Sequence, residues 1–194
     1  LRGSGVTVFN AFASLQGGHA IGLSTLNADG SPGHNQVTAR HILVATGGTP
    51  HVPHFHGREH VVTSNDMFDL PTFPQRLVVV GGGYIACEFA SIFNGLGARV
   101  TQLYRGEQVL RGFDDEVRHF LAAEMTKAGV DLRLNAGVLA IDRQPDGLHI
   151  KLEDGNTLVA DTVLYATGRV PNVNGLGLDA AGVAQCAQGA IVVN

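Results

Sequence analysis

Two arginines stand six residues apart in the stretch LYRGEQVLRGFD, Leu103 to Asp114. Arg105 follows the end of an apolar run, and Arg111 returns after the short loop GEQVL. A guanidinium presents a planar fork of donors that matches phosphate oxygens, so a pair of them suits a multiply charged phosphate. Upstream, GGGYIACEFA contains G-x-G-x-x-A as Gly81, Gly83 and Ala86, with Ala90 four residues further on. Gly81 permits a tight turn, Gly83 lets a pyrophosphate approach the backbone, and Ala86 lets the following helix pack close to a sheet. The free N–H groups and the dipole at the start of that helix favour anions. Both features point to recognition of a phosphorylated dinucleotide.

The strand end decides which one. An acid there would hold both ribose hydroxyls and favour NAD. This chain has Tyr104 and then Arg105, which suits an added 2′-phosphate and hence NADPH. Two plainer readings stand beside these. The glycine turn can serve packing alone, and the arginines can be solvated surface groups, paired with Glu107 for at most ~1 kcal/mol.

The elements that must position these groups follow from periodicity. RLVVVGGG, Arg76 to Gly83, reads as a strand leading into a helix on YIACEFASIFNGLG. In that helix Ile85, Phe89, Ile92 and Leu96 share a face, and Gly95 and Gly97 supply the stop. ARVTQLY is the next strand, completing a parallel βαβ unit. A second helix is predicted from an N-cap at Asp114, with Val117, Phe120, Leu121, Met125 and Ala128 inward and Gly129 at its end. VDLRL gives a third strand, and the turns QPDG and EDGN set LHIKL and TLVAD into an antiparallel meander. TVLYATG closes with a buried strand. Before this region, GVTVFNAF and HAIGLSTL alternate weakly between the turn clusters LQGG and NADGSPG, predicting short strands in a meander. HILVATGG, His41 to Gly48, reads as a strand buried on both faces.

One internal echo bears on organisation. ILVATGGTP and VLYATGRVP share an apolar run, Ala-Thr-Gly and a proline, and they bracket the βαβ region. They read as exit from one domain and return to it. The expected division is 1–48, part of a first domain; 49–169, an inserted dinucleotide-binding domain; and 170–194, the return.

With 44% apolar and 15% charged residues, the 194-residue chain can bury a sizeable core. A net charge of −4 argues against nucleic acid or an anionic membrane surface as partner. No apolar run approaches the ~20 residues of a membrane span. Cys87 and Cys186 are the only cysteines and lie too far apart for a CxxC motif, so a reducing cytoplasmic setting is expected.

VVVGGGYIACEFA, LYRGEQVLRGFD, ATGG, ATGRVPN, TSNDMFDLPTFPQRLVVVGGGYIA and IFNGLG together resemble the flavin-dependent pyridine nucleotide–disulfide oxidoreductases, and their glutathione reductase branch in particular. The resemblance runs through almost the whole chain and is densest from Thr63 to Asn174. It implies an α/β fold, with a Rossmann-like NADPH-binding domain and an antiparallel meander flanked by parts of a FAD-binding domain. It implies NADPH contacts from Gly81, Gly83, Tyr84, Ile85, Glu88, Arg105, Arg111 and Gly168. Tyr84 would be an aromatic gate over the flavin, and Glu88 would support the nicotinamide end. FAD would be approached by Ala45, Thr46, Gly47 and Arg169. Read from spacing alone, Tyr84 is a packing residue, and Glu88, one turn on, a solvated acid or dipole partner.

The resemblance further implies a homodimer that reduces glutathione disulfide. The family's C-x-x-x-x-C pair, its first GxGxxG and its dimerisation region are not among these residues, so the chain is expected to be a piece of a longer reductase, inactive alone. A reductase of another disulfide such as trypanothione, or a non-catalytic NADPH-binding module, are the rival expectations. His51, His54, His56 and His60 raise zinc as a competing idea, but they sit in a proline-rich connector without cysteine or carboxylate at ligand spacing.

Overall fold

The computed structural model describes residues 1–27 and 29–193; Ala28, inside the NADGSPG turn, and Asn194 lie outside the described residues. The chain divides into two compact units, one of residues 1–49 and 170–194 and one of residues 50–169. It is an α/β chain of parallel and antiparallel sheets.

In the first unit, strands β1 (Phe12–Leu15), β2 (Ala20–Leu26) and β3 (Pro32–Thr38) form an antiparallel sheet in sequence order. The expected strand in GVTVFNAF begins only at its end, since Val6 to Asn10 are irregular. The larger correction concerns His41–Gly48. Residues 42–47 form no strand, Leu43 is 88% exposed, and only Gly48 enters a short strand, β4 (Gly48–Pro50). An apolar run becomes a strand only where neighbours take up its N–H and C=O groups. The three-stranded sheet of this unit offers that run no ladder.

The second unit is built on β5 (Arg76–Val80), β6 (Arg99–Tyr104) and β7 (Asp131–Leu134), all parallel, with helices α1 (Tyr84–Gly95) and α2 (Asp115–Lys127) as the crossovers. Strands β8 (Val138–Gln144), β9 (Gly147–Leu152) and β10 (Thr157–Ala160) form an antiparallel meander. β11 (Thr162–Tyr165) then returns to pair in parallel with β5, giving the order β11-β5-β6-β7. β12 (Arg169–Pro171) pairs with β4 where the chain passes between the units.

Alternation along β5 makes the core two-sided. Leu77 and Val79 pack among Ala86, Ala90 and Phe93 of α1, while Val78 packs among Ile141, Leu148 and Ile150 of the meander. Arg76 ties the amino-terminal ends of β5 and β11, its guanidinium donating to Asp161 Oδ1 at 2.6 and 3.0 Å. That guanidinium is the main reason the Asp161 carboxyl titrates below its usual range.

The helix faces differ from the expected ones. α1 buries Ala86, Cys87, Phe89, Ala90 and Phe93, while Ile85 is half-buried and Ile92 and Leu96 are exposed. The arc carrying the two alanines meets the sheet, because small side chains allow closer approach, and Phe68 and Phe73 cover Phe89 and Phe93 from the preceding loop. In α2, Met125 is buried and Leu121 half-buried, but Val117, Phe120 and Ala128 are exposed. This helix crosses to β7, the edge strand, so the sheet covers only a narrow stripe of it. The stops and caps fall where expected. Asp114 accepts from the amides of Glu116 and Val117 at 2.9 and 3.3 Å, and Gly97 and Gly129 follow their helices at positive φ.

Candidate functional site

Because the four strands are parallel, their carboxyl ends open on one side of the sheet. From β5 the chain adds β6 and β7 in one direction, and β11 is placed on the other side of β5. An open α/β sheet takes ligands in the crevice outside the strand ends at such a reversal. The glycine turn occupies that point.

Each peptide of the turn is held. Gly81 has φ +144°, its N–H donates to Leu103 O at 2.9 Å, and a Cβ there would collide with the Ala166 carbonyl. Its own carbonyl accepts from Gln102 Nε2 at 2.9 Å. The Tyr104 ring fills the space a side chain on Gly82 would need, coming within 2.5 Å of that position. Gly82 O accepts from Leu110 N at 2.6 Å. Gly83 caps α1 in an extended conformation, makes no side-chain capping bond, and faces open space where its Cβ would be. The helix start thus has no capping side chain and is open on the Gly83 Cβ side, which fits a phosphate seated on its N–H groups.

Both arginines are carried to this turn by their neighbours. Arg105 follows Tyr104, whose ring lies on Gly82, and Arg111 follows Leu110, whose amide bonds Gly82. Leu110 at φ 54° and Gly112 at φ 93° fold the connecting loop back. Both arginines are exposed, and neither makes a hydrogen bond or ion pair among the described residues, with Glu107 or any other group. The sequence alone does not show what fixes this loop. Arg118 of α2 does so, donating from Nε to Val109 O at 2.9 Å and from Nη2 to Gln108 O at 3.2 Å.

Tyr84 and Glu88, one turn apart on α1, line a groove of about 360 Å³ with Cys87, Ile92, Leu110 and Phe113. Tyr84 is 56% exposed and Ile85 is half-buried toward the helix-side core. Gly168 is exposed at φ +139° beyond β11, and its carbonyl accepts from His51 N at 3.0 Å. The residues marked for a flavin are divided between the units. Ala45 and Thr46 border a cavity of about 110 Å³ in the first unit, and Gly47 O there accepts from Asn172 N at 3.0 Å. Arg169 belongs to the second unit and donates to Ser64 Oγ at 3.4 Å.

Cys87 is buried, and desolvation pushes its thiol above the usual range, the form least suited to nucleophilic chemistry. His54 bonds Arg58, and His56 bonds Asp142 at 3.0 Å. Among the described residues no group of three or more histidine, cysteine or carboxylate side chains is placed to hold a metal ion. No helix among the described residues is long and apolar enough to cross a membrane.

The family model described as pyridine nucleotide-disulphide oxidoreductase matches residues 5–194. The chain belongs to this family. Among curated relatives, glutathione reductase of Burkholderia cepacia is 52% identical over 158 residues, covering 81% of this chain and 35% of that protein. Trypanothione reductase of Trypanosoma congolense is 40% identical over 163 residues, covering 82% of this chain and 33% of that protein. Among solved structures, the HOCl-induced flavoprotein disulfide reductase RclA of Escherichia coli superposes with a TM-score of 0.85 at 29% identity, over 97% of this chain and 42% of that one. The chain thus spans about a third of the length of the curated relatives it matches.

Proposed function

We propose that this chain is the nucleotide-binding part of an NADPH-dependent, FAD-containing reductase of glutathione disulfide. The observation that carries this reading is the pair of unpartnered arginines brought to a glycine turn whose peptides are all held from behind. Gly82, Gly83 and the first amides of α1 hold the pyrophosphate, and Arg105 and Arg111 hold the 2′-phosphate. Tyr84, Ile85, Glu88 and Gly168 border the nicotinamide end. Residues 50–169 form the NADPH-binding domain. Residues 1–49 and 170–194 belong to the FAD-binding domain, where Ala45, Thr46 and Gly47 would contact FAD; Arg169, of the second unit, is the further residue assigned to FAD. Bound NADPH and FAD would together supply two-electron chemistry, a hydride from the nicotinamide to the flavin and two electrons from the reduced flavin to a disulfide. The redox cysteine pair comes from outside these residues, since Cys87 and Cys186 do not form one. The enzyme works in the cytoplasm as a homodimer joined through a region outside these residues.

The test is titration of the protein with NADPH and NADH. NADPH binds more tightly, and Arg105→Ala and Arg111→Ala each remove most of that preference while leaving NADH binding unchanged. Equal affinities in the parent, or no NADPH loss in either variant, refute the reading. The 40% identity to a trypanothione reductase sustains a second substrate reading, which turnover of the complete protein on glutathione disulfide against trypanothione disulfide decides.

A further inference from the structure

Gln102 is the one fully buried polar side chain among the described residues. It lies inside β6 between Thr101 and Leu103, on the same face as Val100 and Tyr104, which pack on the α1 side. Its Nε2 donates to Gly81 O at 2.9 Å and lies 3.6 Å from Cys87 Sγ, while its Oε1 has no partner. A buried amide with one end unpaired is a costly occupant of a core position, and an aliphatic side chain of similar volume would avoid that cost. The one strong bond it makes is to the first glycine of the nucleotide turn.

That bond has a directional consequence. In a planar trans peptide the carbonyl and the following N–H point in opposite directions. Drawing the Gly81 carbonyl toward Gln102 turns the Gly82 N–H away from the core. The next peptide is treated alike, since Leu110 N holds Gly82 O at 2.6 Å and so turns the Gly83 N–H away from it. Neither Gly82 N–H nor Gly83 N–H has a backbone partner among the described residues. The two restraints act from different segments, one from the strand interior and one from the loop that carries Arg111.

Building on the dinucleotide reading, we propose that Gln102 is a positioning residue for the pyrophosphate: its amide fixes the Gly81–Gly82 peptide so that the turn meets the ligand with its N–H groups already aimed. Because every pyridine dinucleotide shares the pyrophosphate, Gln102 acts on NADPH and NADH alike. This separates it from Arg105 and Arg111, which act on the 2′-phosphate alone.

The experiment compares Gln102→Met and Gln102→Glu with the unaltered complete protein, measuring dissociation constants for both nucleotides, KM and kcat. Losing one such hydrogen bond should weaken both nucleotides equally, by roughly threefold to tenfold, raising KM and leaving kcat at saturation unchanged. In Gln102→Glu the ionised carboxylate has no donor for Gly81 O, so nucleotide binding is weakest at high pH and recovers as pH falls and the group takes a proton. Methionine supplies a variant of similar volume if the carboxylate impairs folding, and a thermal melt confirms that each variant is folded. Affinities of Gln102→Met within twofold of the parent for both nucleotides, or a loss confined to NADPH, or a fall in kcat at constant KM, overturn the assignment. If the unaltered protein binds neither nucleotide, the functional reading itself fails and this assignment falls with it.

Discussion

Arg118→Ala should loosen the loop that delivers Arg111 without touching the glycine turn itself. In the native arrangement the guanidinium makes bonds of 2.9 and 3.2 Å to the carbonyls of Val109 and Gln108, and its side chain is only 21% exposed. A hydrogen bond from a charged donor contributes ~1.5–3 kcal/mol, with the longer bond at the lower end. The third contact, to Asp115 at 2.7 Å, adds little because that carboxylate is 79% exposed. Water can replace Arg118 at the partly exposed Gln108, but Val109 is buried, so its carbonyl loses its partner. A net loss of about 2–3 kcal/mol corresponds to a roughly 30- to 150-fold larger opening constant for the loop. Amide hydrogen exchange reads this directly, because the Leu110 N–H is protected by its bond to Gly82 O. Exchange of residues 108–113 should accelerate by that factor, while β5 and α1 keep their protection. Arg118→Lys keeps the charge but loses the fork and should recover only part of the protection. Acceleration below about threefold at Leu110, or uniform acceleration across the whole unit, would refute the claim that Arg118 holds this loop.

Two further outcomes follow from the same geometry. Gly81→Ala places a methyl against the Ala166 carbonyl at a backbone conformation that disfavours any side chain, so it should destabilise the second unit by about 2 kcal/mol or more and abolish dinucleotide binding; a melt together with a nucleotide titration checks both, and retained binding would contradict it. Asp161 titrates below the usual carboxylate range because it accepts from Arg76, so its contribution is fully present above the unfolded carboxyl value of ~3.9 and is lost as pH falls through the lower folded value. With its side chain 35% exposed, solvent screening limits that contribution to about 1 kcal/mol, so Asp161→Asn should be less stable near neutrality and the gap should close in acid; a gap that widens below pH 4 would show the sign to be wrong.

The glycine turn, the βαβ path and the arginine pair were legible in the sequence because each is local. A strand, a tight turn and a helix start are specified within a few residues, and so are the caps at Asp114, Gly97 and Gly129. What was not legible depends on neighbours distant in the chain. Periodicity assigned Ile92 and Leu96 inward, but the loop that supplies Phe68 and Phe73 and the close approach of Ala86 and Ala90 select a different arc of α1. The aliphatic run at Ile42 to Val44 has the composition of a strand, yet composition does not provide a ladder. Nothing in the sequence of β6, which also holds Arg99 and Thr101, singles out Gln102. Only the fold shows that its amide reaches back to Gly81, and only the fold places Arg118 beside the loop carbonyls.

The pairing of β4 with β12 has a consequence for how the chain is made. The two ends of the second unit also meet inside that unit, where His51 N donates to Gly168 O at 3.0 Å and Thr167 Oγ1 donates to His51 O at 2.9 Å. Bringing together the ends of a flexible loop the length of residues 50–169 would cost about 4 kcal/mol in closure entropy. Once that segment has folded, its ends are already adjacent, and it behaves as a connection of only a few residues. During synthesis residues 170–194, the second part of the first unit, follow the whole of this segment. If the inserted segment folds before they are made, they continue from an end that already lies beside its start.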